Sequence, residues 1–369
     1  MSKIYYFSST RSEPLVSPRE LKQQLPATIA QTHFIEQTRQ QIIQILNGTD
    51  PRLLLIMGPC SIHDLKSAEQ YAIKVKELAT EVSDTFLVVM RVYFEKPRTS
   101  FGWKGMMYDP HLNGSHDMNT GLRWMRELLL TLSDLQVPAA AEILDPVSAH
   151  YFGDLLSWGC IGARTSSSQI HRQTASGLPM PVAFKNTTEG NVETAINGVL
   201  TAAKPHSYIG INEVGCAALI HTEGNPNCHI VLRGGEKAPN YDVSSIRQAL
   251  NLLRKAQLPL QLIVDCSHDN SRGVYNHQPV VLRSVIDQIV DHNKSIRGVI
   301  LESHLHAGNQ PLSPNPKELE YAVSLTDSCM DWNTTEEAVL EAALQLKKKR
   351  KNNTKDSLQD DGAKETALV

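Results

Sequence analysis

Cys60, Arg91, Glu142, Arg164, Lys185, Arg233, His268 and Glu302 share a placement: each stands at or just beyond the end of a short apolar run. Cations dominate the set once Lys96 and Arg98 are added. If the runs are parallel strands, their ends meet at one rim. Cations crowded together there are costly without an anion to balance them, which points to phosphate or carboxylate groups on a substrate. Cys60, His268, Glu302 and Asp327 supply sulfur, nitrogen and oxygen donors. Such a mixed set suits one divalent first-row metal ion (Mn, Fe, Co or Zn) without selecting among them. The four are dispersed in sequence, and each taken alone reads more simply as packing. Lys185, closing the apolar PVAFK, leaves two chemistries open: Schiff-base formation or plain anion binding. Pro97 restricts the backbone between Lys96 and Arg98, so KPRTS reads as a presenting loop. Gly234 and Gly235 after Arg233 allow either close backbone approach to a ligand or an ordinary turn.

The elements that must position these residues follow from periodicity. Apolar runs recur at 53–57, 86–92, 138–143, 160–163, 181–184, 208–211, 230–232, 260–264 and 298–301. Most are followed by helix-compatible stretches, such as 67–81, 121–132, 191–203, 244–256 and 279–291. Fully apolar strands alternating with amphipathic helices predict a parallel sheet covered by helices, and eight such units close a TIM (β/α)8 barrel. One run is surplus, and 215–228, with its TEGNPN turn, reads as a β-hairpin inserted near the sixth strand. An open doubly wound sheet is the competing architecture, but no G-x-G-x-x-G follows any candidate strand. Residues 1–50 read as an N-terminal extension in which 28–47 form a helix stopped by Asn47-Gly48. The catalytic barrel then spans 51–346, and the charged segment 347–369 is expected to be disordered. Its KKKRK run fits a nuclear address or a nucleic-acid patch, but a helix end with cations near its C-terminal dipole accounts for it more simply.

Composition bounds the function. With 41% apolar and 20% charged residues, the 369-residue chain can bury a large core. A net charge of −3 gives no global attraction to nucleic acid or to a membrane surface. The apolar runs are far shorter than the roughly 18 residues that span a bilayer. The start, MSKIYYFSSTRSEP, lacks the basic-then-apolar layout of a secretory signal. Six cysteines without a CxxC pair read as reduced thiols, so a cytoplasmic protein is expected.

Several longer segments carry a family resemblance. GPCSIHD (58–64), MRVYFEKPRTSFGWKG (90–105), IGARTSSSQIHR (161–172), FKN (184–186), LRGG (232–235), DCSHDNS (265–271), ESHLHAGNQ (302–310) and SLTDSC (324–329) stand in order and with compatible spacing. From about residue 18 to 345 the chain resembles the feedback-regulated type I microbial 3-deoxy-D-arabino-heptulosonate 7-phosphate (DAHP) synthases, at the start of the shikimate pathway to chorismate and the aromatic amino acids. The resemblance implies a TIM barrel that condenses phosphoenolpyruvate with erythrose 4-phosphate and releases phosphate. It implies Cys60, His268, Glu302 and Asp327 as ligands of one divalent metal ion, and Arg91, Lys96, Arg164, Lys185 and Arg233 as the grip on phosphoenolpyruvate. Arg98 and Thr99 would hold the aldose phosphate, and Lys96, with His268, would act in catalysis. Lys185 then becomes an anion holder. It also implies a homo-oligomer, dimer or tetramer, with the N-terminal extension contributing to an interface and to a regulatory site for an aromatic amino acid.

Departures from the pattern are informative. Ser167 stands where these enzymes often have Glu, Ala183 and Thr187 where Gly is usual, and Ala307 where Glu is usual, while Glu236 reads as a one-residue insertion. None removes a proposed ligand, so an active enzyme is expected. Pro179 replaces a common Ser and Ala149 a common Pro at regulatory positions, while the AINGV…YIGINEVG context resembles the tyrosine-sensitive subgroup. Weakened or altered inhibition is the expectation. The related reaction on arabinose 5-phosphate stands second, because those enzymes carry a KANRS-like loop in place of KPRTS. A catalytically silent barrel kept as a metabolite sensor is a further alternative, and the intact rim argues against it.

Overall fold

The computed structural model describes residues 12–99 and 102–365, with 351–365 as backbone only. Eight runs of apolar sequence form the strands of a closed parallel barrel: β1 (Leu53–Gly58), β2 (Phe86–Arg91), β3 (Ala139–Glu142), β4 (Trp158–Ile161), β5 (Val182–Lys185), then β8 (His229–Leu232), β9 (Leu262–Asp265) and β10 (Ile296–Glu302). Closure is made by β1 pairing with β10, Gly58 opposite Glu302. Every residue of β1 is buried, which is why the sequence shows no polar alternation there.

The surplus apolar run, 208–211, is not a barrel strand. It belongs to β6 (His206–Ile211), which pairs antiparallel with β7 (Ala217–Thr222) in a separate two-stranded sheet. The expected hairpin therefore exists just before the sixth barrel strand, but its reversal lies at 212–216, where Asn212 donates its amide to the Cys216 carbonyl, and not at TEGNPN. The alternating exposure of β6 and β7 marks a sheet buried on one side only.

Helices α3 (Leu65–Glu81), α4 (Met118–Asp134), α5 (Ala149–Phe152), α6 (Gln169–Ser176), α7 (Val192–Ala202), α8 (Val243–Lys255), α9 (Gln278–Val290) and α10 (Trp332–Glu365) follow the strands, and α1 (Pro18–Gln24) and α2 (Ile29–Asn47) precede them. The predicted 28–47 helix is α2. Thr28 and Gln31 form a reciprocal capping box at its start, and Gly48 ends it at φ 80°, a conformation that favours glycine. The helix closes the floor of the barrel: Ile42, Ile45 and Leu46 join Leu54, Ile56, Val89, Trp158, Ile263 and Ile300 in one buried cluster. Burial of each of the three is worth roughly 1.5–3 kcal/mol. The floor also holds a polar contact, the Trp158 indole donating to His229 Nε2 at 3.1 Å. Burial lowers His229 to about 4, so it accepts as a neutral ring.

The charged tail begins on the last helix. Disorder was expected from 347 onward, yet α10 continues through that point to Glu365. Lys347 pairs with Asp84 at 3.0 Å, and Arg350 donates to the carbonyls of Asp84 and Pro51. These contacts with the underside of the barrel are tertiary, so composition alone could not register them. Residues 366–369 of the tail lie outside the described residues, as do 1–11 of the extension. All six cysteines are free thiols, and no helix among the described residues is long and apolar enough to cross a membrane.

Candidate active site

The two ends of the barrel sequence supply the donor cluster. Cys60 follows β1, and Glu302 ends its neighbour β10. The segment carrying Asp327 is drawn alongside by backbone bonds, Met330 N to Glu302 O at 3.0 Å and Cys329 N to Gly308 O at 3.1 Å. The Cys60 amide in turn donates to Cys329 Sγ at 3.3 Å. One donor atom each from Cys60, Glu302 and Asp327 lies within 4.8 Å of the others. His268 borders this trio, with Nε2 3.7 Å from Glu302 Oε1, and its φ of 54° is rare for a residue other than glycine. The donors fit a divalent cation. Burial, then Glu302, pushes the Cys60 thiol up to about 12, so a positive charge is what the pocket needs to make a thiolate. Burial also disfavours the Asp327 carboxylate, but Lys96 and His268 outweigh it and hold Asp327 below its usual range.

A cavity of about 520 Å³ opens above this cluster, lined by Lys96, Arg98, Thr99, Arg164, Lys185, Arg233, His268, Glu302 and Asp327, among others. Of the proposed site residues, only Cys60 and Arg91 are absent from its wall, and both are fully buried. Arg91 Nη2 donates to Glu302 at 2.8 Å, and the guanidinium lies 3.9 Å from the centre of the Tyr93 ring. Lys96 Nζ reaches the Cys60 carbonyl and Sγ, each at 3.1 Å. Burial opposes its charge, but Cys60, Asp327 and Glu302 outweigh burial and hold the ammonium above its usual range. Arg164 Nε donates to Thr99 Oγ1 at 3.0 Å, tying the KPRTS loop to the fourth strand end.

The crowded cations are balanced differently from the sequence argument. Arg91 pairs with Glu302, Lys185 with Asp265 and Arg233 with Asp269, so protein carboxylates supply part of the neutralisation assigned to a ligand. Among the described residues, Arg98 and Arg164 form no ion pair. Arg91 Nη1 and Arg233 Nε are buried donors with no acceptor among the described residues. Such groups are costly to bury unless something accepts from them. The Lys185 amine is engaged by the Asp265 carboxylate at 2.8 Å, an arrangement that suits anion binding over Schiff-base chemistry. The Gly-Gly turn serves packing: a Cβ on Gly234, at φ 81°, would meet Asn270 N at 2.5 Å.

Residues 24–340 match the DAHP synthetase I family. The chain belongs to this family. It is 50% identical over 327 residues to the Tyr-sensitive phospho-2-dehydro-3-deoxyheptonate aldolase of Salmonella typhimurium, covering 89% of this chain and 92% of that one. The tyrosine-inhibited aldolase of Candida albicans is 44% identical over 343 residues, with 92% and 93% covered. A solved structure of the Francisella tularensis aldolase superposes with a TM-score of 0.89 at 39% identity, covering 92% of this chain and 99% of that one. DAHP synthetase membership and a closed barrel thus agree with the expectations from sequence. Two further residues of this candidate site are not singled out for a role by the sequence reading. Asp265 was quoted only within DCSHDNS, although an acid ending the apolar strand LIVD was a signal. Glu142 was noted at its strand end without a role, and it lines the cavity.

Proposed function

We propose that the chain condenses phosphoenolpyruvate with D-erythrose 4-phosphate and water, giving 3-deoxy-D-arabino-heptulosonate 7-phosphate and inorganic phosphate, the first step toward the aromatic amino acids. The observation that carries this reading is the convergence of Lys96, Arg98, Arg164, Lys185 and Arg233 on one cavity directly above the donor cluster. Arg164, Lys185 and Arg233, with Arg91 beneath, bind the phosphate and carboxylate of phosphoenolpyruvate. Arg98 and Thr99 hold the aldose phosphate, so the enol carbon and the aldehyde meet as bound neighbours. Cys60, His268, Glu302 and Asp327 would hold one divalent ion, which when bound supplies Lewis-acid polarisation of the aldehyde oxygen. Lys96, held protonated beside Cys60, donates a proton to the alkoxide oxygen as the carbon–carbon bond forms. Water then adds to the former enol carbon and gives one proton back to Lys96; the phosphate leaves with the electrons of its C–O bond and takes up the second proton as the remaining hydroxyl becomes the ketone. Arg164, Lys185 and Arg233 stabilise the charge that develops on the phosphate.

The deciding experiment follows phosphoenolpyruvate loss after chelation and again with manganese restored, offering erythrose 4-phosphate or arabinose 5-phosphate. Turnover is expected only with metal and the four-carbon sugar. Turnover with the five-carbon sugar instead would replace the reaction, and none with either would favour the sensor reading.

The regulatory reading attaches to a second cavity of about 540 Å³, lined in part by Lys22, Ala149, Asp154, Pro179, Tyr208 and Glu213. Charges of both signs suit the ammonium and carboxylate of an aromatic amino acid. Lys22 reaches Glu213 at 3.1 Å, so the N-terminal extension borders the pocket. With Pro179 in place of a hydroxyl, inhibition by tyrosine is expected to be weak. Pro179→Ser should strengthen it by about tenfold, the value of one recovered hydrogen bond. Inhibition constants for both enzymes test this, and strong inhibition of the unaltered enzyme by low tyrosine overturns it. A homo-oligomer of two or four copies, in a reducing cytoplasm where six free thiols persist, completes the proposal.

A further inference from the structure

Asp265 ends β9, wholly buried, and both of its carboxylate oxygens are engaged. Its Oδ2 accepts from Lys185 Nζ at 2.8 Å and lies 3.1 Å from His268 Nδ1. Its Oδ1 accepts from the Ser267 amide at 3.1 Å and from Ser267 Oγ at 2.7 Å. Ser267 Oγ is also 2.6 Å from His268 Nδ1. With the hydroxyl proton given to Asp265, the Ser267 oxygen is an acceptor toward the ring. Both neighbours of Nδ1 are then acceptors, an arrangement that favours the ring tautomer with its proton on Nδ1. The lone pair is left on Nε2, the nitrogen facing Glu302. An imidazole that binds a metal through Nε2 needs that tautomer.

We propose that Asp265 is a positioning residue that couples the two halves of the site: one carboxylate oxygen fixes His268 as a metal donor and holds Lys185 against the phosphoenolpyruvate subsite. This rests on the reaction proposed above. A plain structural ion pair would serve Lys185 or His268 separately. The shared oxygen makes the two inseparable, so losing it weakens metal binding and substrate binding together.

The test uses purified full-length enzyme and Asp265→Asn. An amide has one acceptor oxygen, so it cannot accept from both partners while its NH2 faces Ser267 without conflict. Manganese affinity, read by competition with a chromophoric chelator, is expected to fall about 10- to 100-fold, the usual cost of removing the partner of a ligand histidine. The Kd for phosphoenolpyruvate, read by calorimetry at saturating manganese, should rise as well. In the Lys185→Met background, Asp265→Asn should add nothing further to that Kd, while still lowering metal affinity. A folded Asp265→Asn enzyme with unchanged manganese affinity overturns the proposal, as does full additivity in the double variant. If Asp265→Asn does not fold, Ser267→Ala decides: a few-fold loss of manganese affinity is expected, and none refutes the proposal. Failure of the proposed reaction would be visible separately, as absence of turnover in the unaltered enzyme, because neither binding measurement requires turnover.

Discussion

Cys60→Ala is expected to abolish metal-dependent turnover, with a loss of at least about a thousandfold in kcat/KM. The sulfur is fully buried, and its carbonyl and Sγ are both reached by Lys96. Removing it leaves two carboxylates and an imidazole with no soft donor, and Lys96 loses its contact to sulfur while Asp327 and Glu302 still balance its charge. Metal participation is worth several kcal/mol of transition-state stabilisation, and each 1.36 kcal/mol is a factor of about ten in rate. The volume change is small, so stability should fall by only about 1 kcal/mol, and a melting curve separates the two effects. Turnover is measured after chelation and stepwise return of manganese, together with bound-metal content. A rate equal to that of the unaltered enzyme would remove Cys60 from the donor set.

Lys96→Met should lower kcat by about 10²–10⁴-fold, the range of a positioned proton donor, and raise the KM for phosphoenolpyruvate by about tenfold or less, because Lys96 is one of five cations in that grip. Methionine keeps the length of the stem but offers no proton. Arg91, Arg164, Lys185 and Arg233 remain to bind the enol phosphate. The direction for metal is opposite: with the ammonium gone from beside Cys60 and Asp327, manganese should bind at least as tightly as before. Steady-state kinetics at saturating manganese check this. A kcat within tenfold of the unaltered enzyme would mean that water, or another group, delivers the proton.

How the site was reached from sequence differs from residue to residue. The rim was legible because barrel strands are buried on both faces. Against LLLIMG or VAFK, any charged residue at a strand end stands out, and parallel topology then brings those ends together. The counter-charges were harder to see. Asp265 and Asp269 find Lys185 and Arg233 across large sequence separations, which no local pattern records. Tyr208 through Ile211 misled for a different reason. HSYIGI is apolar enough to pass for a core strand, yet its alternate residues face outward, and period-two alternation was the signal to weigh. The four candidate ligands follow from donor chemistry and from resemblance. The structure brings Cys60, Glu302 and Asp327 together most tightly, with His268 at their edge.

The donor cluster sits where the barrel closes on itself. Cys60 stands just past the end of the first strand, and Glu302 ends the last one paired beside it, with Asp327 following. During synthesis, then, the cluster cannot exist until nearly the whole barrel has left the ribosome, and nascent chains cannot take up metal there. In the finished protein, an ion held by these residues would act as a clasp across the β1–β10 joint. At a free concentration of about 100 times its Kd it would stabilise the closed ring by about 2.7 kcal/mol. Metal supply would then govern the lifetime of the protein as well as its rate of turnover.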